Sequence, residues 1–429
     1  MKQRTCLATL LVLLIIVAAT LVCCAPNSPT EPTEPAASTA PTETETPSTT
    51  EATEAPTTEP TTEATEPSTE PTEPPTEADP IEMAAQSLLE TMSLEEKVCQ
   101  MFFVSPTTLT GYAGATVAGK ATRAALAEYP VGGIIYFGEN VVSAEQVVEM
   151  VAGTQSYSKI PLFIGVDEEG GRVSRLSGVG LTTRLSPMAV YGAAGDAEAV
   201  RAMGRRLGEE LSAAGFNVDF APVADVVTNP DNTEIGDRAF SSDAGVAAEM
   251  VAAMTEGLQE GGTIACLKHF PGHGSTSADS HLGLSLSQRT LEELRETELL
   301  PIRAGLDAGA GMVMISHMSL PNVVGDNTPC DLSYTVVTEL LREDLGYTGV
   351  VITDSHQMGS ITEGYGCGTA AVMAIQAGCD IVLLPMDLEE AVSAVLAAVE
   401  DSTLTEARID ESVLRILSLK YTTGIIPEI

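Results

Sequence analysis

Short apolar, β-branched runs recur along the chain from residue 101 onward, and most stretches between them switch to a helical period. Eight such runs are readable: Met101–Val104, Gly133–Phe137, Leu162–Val166, Asn217–Ala221, Ile264–Leu267, Met312–Ile315, Gly349–Thr353 and Asp380–Leu384. Ser143–Tyr157, Asp196–Ala214, Asp243–Glu260, Leu291–Ala308 and Thr335–Leu345 carry the helical pattern between them. Strands buried on both faces read as continuous apolar runs, and strand alternating with helix implies a parallel sheet. Eight units predict an α/β fold, a single (β/α)8 TIM barrel, with an open doubly wound sheet as the alternative. Residues 80–101 read as one further helix, with Ser93 and Glu96 at capping-box spacing. Polar residues follow the runs closely: Asp167 after the third, Asp225 after the fourth, Lys268-His269 after the fifth, His317 after the sixth, Asp354 after the seventh. Barrel sites are built at the carboxyl ends of strands, so these groups are expected on one rim.

The first 79 residues follow a different logic. Lys2 and Arg4 precede an apolar run from Cys6 to Val22, the layout of an export signal. Leu21-Val22-Cys23-Cys24 resembles a bacterial lipoprotein cleavage box, although Cys23 stands where a small residue is usual. The expected reading is a lipoprotein-type signal peptide over 1–24 with lipid attached to Cys24; an uncleaved apolar anchor is the alternative. Residues 25–79 are almost wholly Thr, Glu, Pro, Ala and Ser, with no apolar face from which to build a core. They predict a disordered, charge-extended linker reaching up to ~170 Å at ~3.1 Å per residue. The folded barrel is expected over 80–429, held at the outer face of a membrane and monomeric.

Composition narrows the function. The net charge is −39, and residues 80–429 alone hold 47 acids against 19 bases, a balance of −28. Such a surface repels polynucleotides and anionic head groups, so no nucleic-acid partner is expected. Beyond the leader there are five cysteines, an odd number with no CxxC pair, which argues against a disulfide framework or structural zinc. Tryptophan is absent and aromatics are 4% of the chain, too few for the stacking platforms of a long polysaccharide cleft.

Four motifs carry candidate chemistry. All five histidines fall between 269 and 356, and the richest segment is Lys268-His269-Phe270-Pro271-Gly272-His273-Gly274 followed by Asp279-Ser280-His281. Pro271 and Gly272 exclude helix and predict a loop leaving a strand. A metal pair at His269 and His273 is one reading, weakened because the helical face it needs is gone. Asp279 and His281 lie two apart, which in an extended stretch places them on one side. There the carboxylate can fix the imidazole tautomer for general acid and base work, or merely tie the loop. Asp354, ending Gly349-Val350-Val351-Ile352-Thr353, is compatible with a nucleophile, a metal ligand or a structural cap. Asp167-Glu168-Glu169-Gly170-Gly171-Arg172-Val173-Ser174-Arg175 lacks the phosphate-loop pattern. Its glycines allow close approach to a ligand, Asp167 can accept sugar hydroxyls, and Arg172 and Arg175 can neutralise the acids; a solvated loop is the alternative. Arg238, in Gly236-Asp237-Arg238, either projects into the site or pairs with Asp237 or Asp243.

Together the four motifs resemble family 3 glycoside hydrolases, and more narrowly their bacterial β-N-acetylhexosaminidase branch, over about residues 84–420 and in the family's order. The resemblance implies a retaining mechanism with Asp354 as nucleophile, His281 as acid/base and Asp279 as its partner. It also implies Asp167, Arg175, Arg238, Lys268 and His269 as sugar-holding groups, with no cofactor and no metal. A histidine acid is unusual, since retaining glycosidases mostly use two carboxylates. Other branches draw a glutamate acid from a second α/β sandwich domain. The chain ends at Ile429 soon after the eighth unit, so the expectation is that the acid comes from the barrel's own loops. Two features depart from the family: Ser355-His356 stands after the nucleophile position where Asp-Leu or Ala-Leu is common, and the proline-rich tether is additional.

The function expected from this reading is exo-acting hydrolysis of terminal β-N-acetylglucosamine from peptidoglycan fragments or other glycans. A β-glucosidase or β-xylosidase, an N-acetylglucosaminide phosphorylase, and a non-catalytic sugar-binding surface lipoprotein are the rival readings. The leader is the part most directly checked: mass spectrometry of the mature amino terminus is expected to find lipid-modified Cys24, and an unprocessed Met1 would assign an apolar anchor instead.

Overall fold

The computed structural model describes residues 79–276 and 285–427. Its centre is an eight-stranded parallel sheet: β1 Phe102–Val104, β2 Gly133–Ile135, β3 Phe163–Val166, β4 Val218–Asp219, β5 Ile264–Phe270, β6 Met312–Ile315, β7 Val350–Thr353 and β8 Val382–Leu383. Neighbours in sequence are neighbours in the sheet, and β8 pairs β1 through Phe102↔Val382 and Phe103↔Leu383. A parallel bridge between Ile352 and Ile381 joins β7 to the entry of β8, so the sheet curls into the expected (β/α)8 barrel. The leader and the linker up to residue 78 lie outside the described residues, as does Cys24.

Each apolar run forms a strand because its neighbours on both sides are apolar too. Strand residues are buried throughout, facing either the barrel interior or the helical ring. The interior is filled by aromatic rings. Phe103 stacks parallel to Phe163 at 6.5 Å and meets Phe220 edge-on at 5.4 Å. Glycine makes room for them: a Cβ at Gly165 would lie 2.8 Å from both Phe103 and Phe220. Helices begin where a short polar side chain takes an orphan backbone N–H. Ser143, Asp196, Asp243, Asp387 and Thr405 all do this, each accepting from the residue three positions on.

Several local expectations need correction. Residues 80–101 are two helices, Pro80–Leu89 and Leu94–Gln100. Ser93 caps the second with Glu96 in a reciprocal box, so the capping signal marked a start inside the stretch. The stretch 291–308 divides into Leu291–Glu296 and Leu299–Asp307, and Thr335–Asp344 is wound as a π-helix. Finally, β5 runs on to Phe270, with a register shift between Leu267 and Phe270. Lys268 and His269 are therefore strand residues, and only from Pro271 does the chain leave as a loop.

The amino-terminal end of the barrel is tied to its last helix, Glu406–Thr422, by buried polar groups. Lys420 Nζ donates to Gln100 Oε1 at 2.8 Å and sits 4.9 Å from the Phe163 ring centroid. Asp380, fully buried, accepts from the Val351 N–H at 2.9 Å, Arg342 at 2.6 Å, Ser412 at 2.7 Å and Arg415 at 3.1 Å. Removing the shared partner of a buried ion cluster typically costs ~3–5 kcal/mol. Asp380→Ala is expected to lower unfolding free energy by about that amount in denaturant titration; a loss below about 1 kcal/mol would show that the arginines find water instead.

Candidate active site

A cavity of about 450 Å³ opens where the carboxyl ends of the strands meet. Asp167, Arg175, Arg238, Lys268, His269 and Asp354 all line it, so six of the residues marked in the sequence share one pocket. Asp279 and His281 fall within 277–284 and lie outside the described residues.

Lys268 is the organising charge. Its side chain is 3% exposed and its Nζ lies 2.7 Å from Asp167 Oδ1 and 2.6 Å from Glu169 Oε1. Burial would lower the pKa of this ammonium, but the two carboxylates outweigh it and hold the group protonated. Glu169, which the sequence reading did not single out, also clasps Arg238 through two parallel bonds, Nε to Oε2 at 2.9 Å and Nη2 to Oε1 at 2.8 Å. Arg238 further meets Glu234 at 3.3 Å. Neither partner proposed for it from sequence is used: Asp243 is occupied in capping the helix Ala244–Glu260, and the buried Glu169 wins. Burial pushes the Glu169 carboxyl up, yet Lys268 and Arg238 together bring it down to about 2.

The adjacent Glu168 faces the other way and serves the loop. It accepts from Ser174 Oγ, Thr182 Oγ1 and the N–H groups of Arg175 and Leu176 at 2.5–2.9 Å. Gly170 and Gly171 (φ 94° and 56°) turn the chain against 185–187, with the Gly171 N–H bonded to Leu185 O. On the side a Cβ would occupy, each glycine lies against the protein's own chain, Leu185, Ser186 and Met188 at Gly170 and Pro187 at Gly171. Arg172 is likewise turned to the backbone carbonyls of Thr233 and Glu234. Arg175 stays at the pocket wall, 3.9 Å from Asp167 Oδ2. Asp167 is the one of the three acids left partly open to the cavity, its side chain 16% exposed.

Asp225, six residues past β4, fixes the two pocket histidines. Its Oδ2 is 2.7 Å from His269 Nδ1, and its Oδ1 accepts the His273 N–H at 2.6 Å. A carboxylate on Nδ1 places a proton there and fixes the orientation of the ring. Burial would raise the Asp225 carboxyl, but His269 and His273 hold it below its usual range. His273 itself is pushed down, first by burial and then by His269 beside it.

Asp354 ends β7 at the pocket floor. Its backbone N–H is bonded to Ile315 O at 2.8 Å, and its Oδ1 accepts the Ser355 N–H at 2.7 Å. Burial favours the neutral acid. His317, His269, that N–H and Lys268 reverse the effect and keep the carboxylate ionised below the ordinary aspartate range. The arrangement offers an oriented anion facing a pocket whose walls alternate acids and bases, suited to a polyhydroxylated, uncharged ligand.

Comparison with known proteins agrees with this geometry. The family model of the Glycosyl hydrolase family 3 N terminal domain matches residues 93–419. Beta-hexosaminidase A of Pseudoalteromonas piscicida is 34% identical over 323 residues, 69% of this chain and 54% of that protein. The chain thus matches about half the length of that relative. A beta-hexosaminidase of Chromobacterium violaceum is 38% identical over 289 residues, 65% of this chain and 78% of its own. Among solved structures, a glycoside hydrolase family 3 beta-N-acetylglucosaminidase from Paenibacillus sp. str. FPU-7 superposes with a TM-score of 0.74 at 38% identity, covering 78% of this chain and 63% of that one.

The Glu169 bridge gives the site its test. Glu169→Gln keeps the volume but removes the charge that Lys268 and Arg238 share. Small displacements of binding groups can cost on the order of 100-fold, so kcat/KM on a chromogenic glycoside is expected to fall by about that factor, mainly through KM. An unchanged KM would show that the two cations are placed without Glu169.

Proposed function

The chain belongs to glycosyl hydrolase family 3, and from that membership we propose that it is an exo-acting, retaining β-N-acetylhexosaminidase that removes terminal β-N-acetylglucosamine. The observation that carries the reading is Asp354: an ionised carboxylate at a strand end, on the floor of a pocket at the small end of the ~300–1,000 Å³ range of ligand sites. A pocket of that size suits one terminal sugar better than a polymer running through.

In this reading Asp354 attacks the anomeric carbon, and the leaving-group oxygen departs with the proton of His281. The glycosyl-enzyme ester is then opened by water, which gives a proton back to His281, and Asp354 is released as a carboxylate. The roles of His281 and Asp279 rest on their motif, in which Asp279 holds the imidazole tautomer and raises its basicity. Asp167, Lys268, Arg175, Arg238 and His269 grip the sugar hydroxyls and the acetamido-bearing ring. Their bonds count most where they strengthen as the ring flattens toward an oxocarbenium-like state. The leader and the Thr/Glu/Pro linker support a surface-tethered enzyme acting on cell-wall fragments or other external glycans. The acidic balance of the folded part weighs against an anionic co-substrate and favours water over phosphate.

A panel of nitrophenyl glycosides, run with and without phosphate, tests the proposal. The N-acetylglucosaminide is expected to be cleaved well above the glucoside, with free sugar as product in both buffers; the opposite preference, or a sugar phosphate, would overturn it. Asp354→Ala is expected to lose more than about 1,000-fold in kcat. His281→Ala is expected to lose most turnover on poor leaving groups and less on activated ones, whereas an even loss would remove His281 from the acid role.

A further inference from the structure

Behind the cavity wall, three side chains form a cluster that the sugar-holding set does not use. Asp331, His317 and His356 are 0%, 0% and 1% exposed. Asp331 sits in the turn Cys330–Leu332 between β6 and β7, His317 two residues past β6, and His356 two residues past Asp354. Asp331 Oδ2 is 3.0 Å from His356 Nε2, and its Oδ1 is 2.9 Å from His317 Nδ1, a charge contact off the axis of a hydrogen bond. On its far side, His317 Nε2 is 2.8 Å from the carbonyl oxygen of Ser355.

That last contact fixes one of the protons on His317. A carbonyl oxygen can only accept, so Nε2 carries a proton. If the ring were neutral, Nδ1 would turn its lone pair toward a carboxylate 2.9 Å away in a buried site. With both nitrogens protonated, the imidazolium satisfies the carbonyl and the carboxylate together. Both backbone groups of Ser355 are then held, its N–H bonded to Asp354 Oδ1 and its C=O accepting from His317. The His356 N–H, bonded to Leu383 O at 3.0 Å, anchors the same segment to β8.

We propose that Asp331 is a positioning residue of the hydrolytic site: it holds His317 as a cation against the Ser355 carbonyl, one residue past Asp354, and so keeps the nucleophile an oriented anion into the mildly acidic range. The inference rests on Asp354 being the nucleophile. His356 is the second donor that keeps Asp331 ionised.

The surrounding charges agree. Burial pushes His317 down, but Asp331 and Asp354 outweigh it and raise it to about 9. Asp331, lifted by burial, is brought down to about 2 by His317 and then His356. His356 goes the other way, lowered by burial despite Asp331, so it stays neutral beside the charged ring. Asp354 also faces His269 and Lys268 from β5, and its charge is felt at His273. The remaining titratable neighbours of Asp331 are Cys330, Cys379 and Tyr365, all pushed upward first by burial and therefore neutral.

The sign follows directly. A cation facing Asp354 lowers its pKa. Neutralising Asp331 leaves burial as the larger influence on His317 and drops the ring below the ordinary ~6.5, so it loses its charge within the mildly acidic range and releases Asp354 upward. In the isosteric Asp331→Asn variant the acidic limb of kcat/KM is expected to move up by about one pH unit, so that the relative loss grows as the pH falls and approaches about tenfold on the acid side of the limb, with most activity kept near pH 7.5. An unmoved limb in a folded variant would overturn the proposal. Imidazole 15N NMR on the unsubstituted protein gives a readout that needs no variant: both His317 nitrogens are expected to stay protonated to about pH 8, and a neutral ring at pH 7 would overturn the proposal even if Asp331→Asn fails to fold. Failure of the underlying reading looks different, because Asp354→Ala would then retain activity while the His317 signals stayed those of an imidazolium.

Discussion

A lysine ammonium buried at the mouth of the barrel is the constraint from which the pocket is built. Lys268 ends in a place with almost no exposure, and a charge there is tolerable only if it is paired. Asp167 and Glu169 supply the pairing from the rim of β3, two strands away in the sheet. Glu169, having one oxygen on Lys268, uses both to hold Arg238 from the β4–β5 connection. One strand-borne cation thus fixes the side chains of two loops. Asp167 is left as the partly open member able to turn toward a ligand.

The same logic repeats on the other half of the rim with a different carrier. Asp225 orients His269 and grips the His273 backbone, so the fifth strand contributes both a cation and a fixed imidazole. Past the end of β6, the imidazolium of His317 bonds the carbonyl of Ser355, the residue after Asp354. In each case a wholly buried carboxylate, Glu169, Asp225 or Asp331, stands behind a group that borders the pocket or supports its floor. Their work is to make the charges in front of them stationary, so that little reorganisation is required as charge develops on the ring.

Family membership and this charge layout answer different questions. The match over residues 93–419 says which chemistry the barrel inherits. The Asp331–His356 pair says how this chain arranges its own support, and it occupies the position where the sequence departs from the family's usual pattern after the nucleophile.

The barrel was legible in the sequence because its evidence is local. Apolar runs such as Met312–Ile315 and Gly349–Thr353 report burial on both faces, and a polar residue just beyond a run reports a rim. That was enough to bring Asp167, Lys268, His269 and Asp354 to one cavity, and Arg175 and Arg238 with them. Boundaries were less legible where one pattern covered two elements, as at the Ser93 start inside 80–101. Partnerships were not legible at all. Asp167, Glu168 and Glu169 are three adjacent acids, and only the folded loop decides that the second faces its own backbone while the others meet Lys268, roughly a hundred residues away. Glu169 as the partner of Arg238, Asp225 as the anchor of His269 and Asp331 as the anion between His317 and His356 are contacts across 14 to 69 positions of chain. The sequence by itself determined which elements form and which residue types reach the rim, because periodicity and burial are written locally. Which charges pair was left to the tertiary structure, because a buried ion is satisfied only by whatever the closed barrel brings within about 3 Å of it.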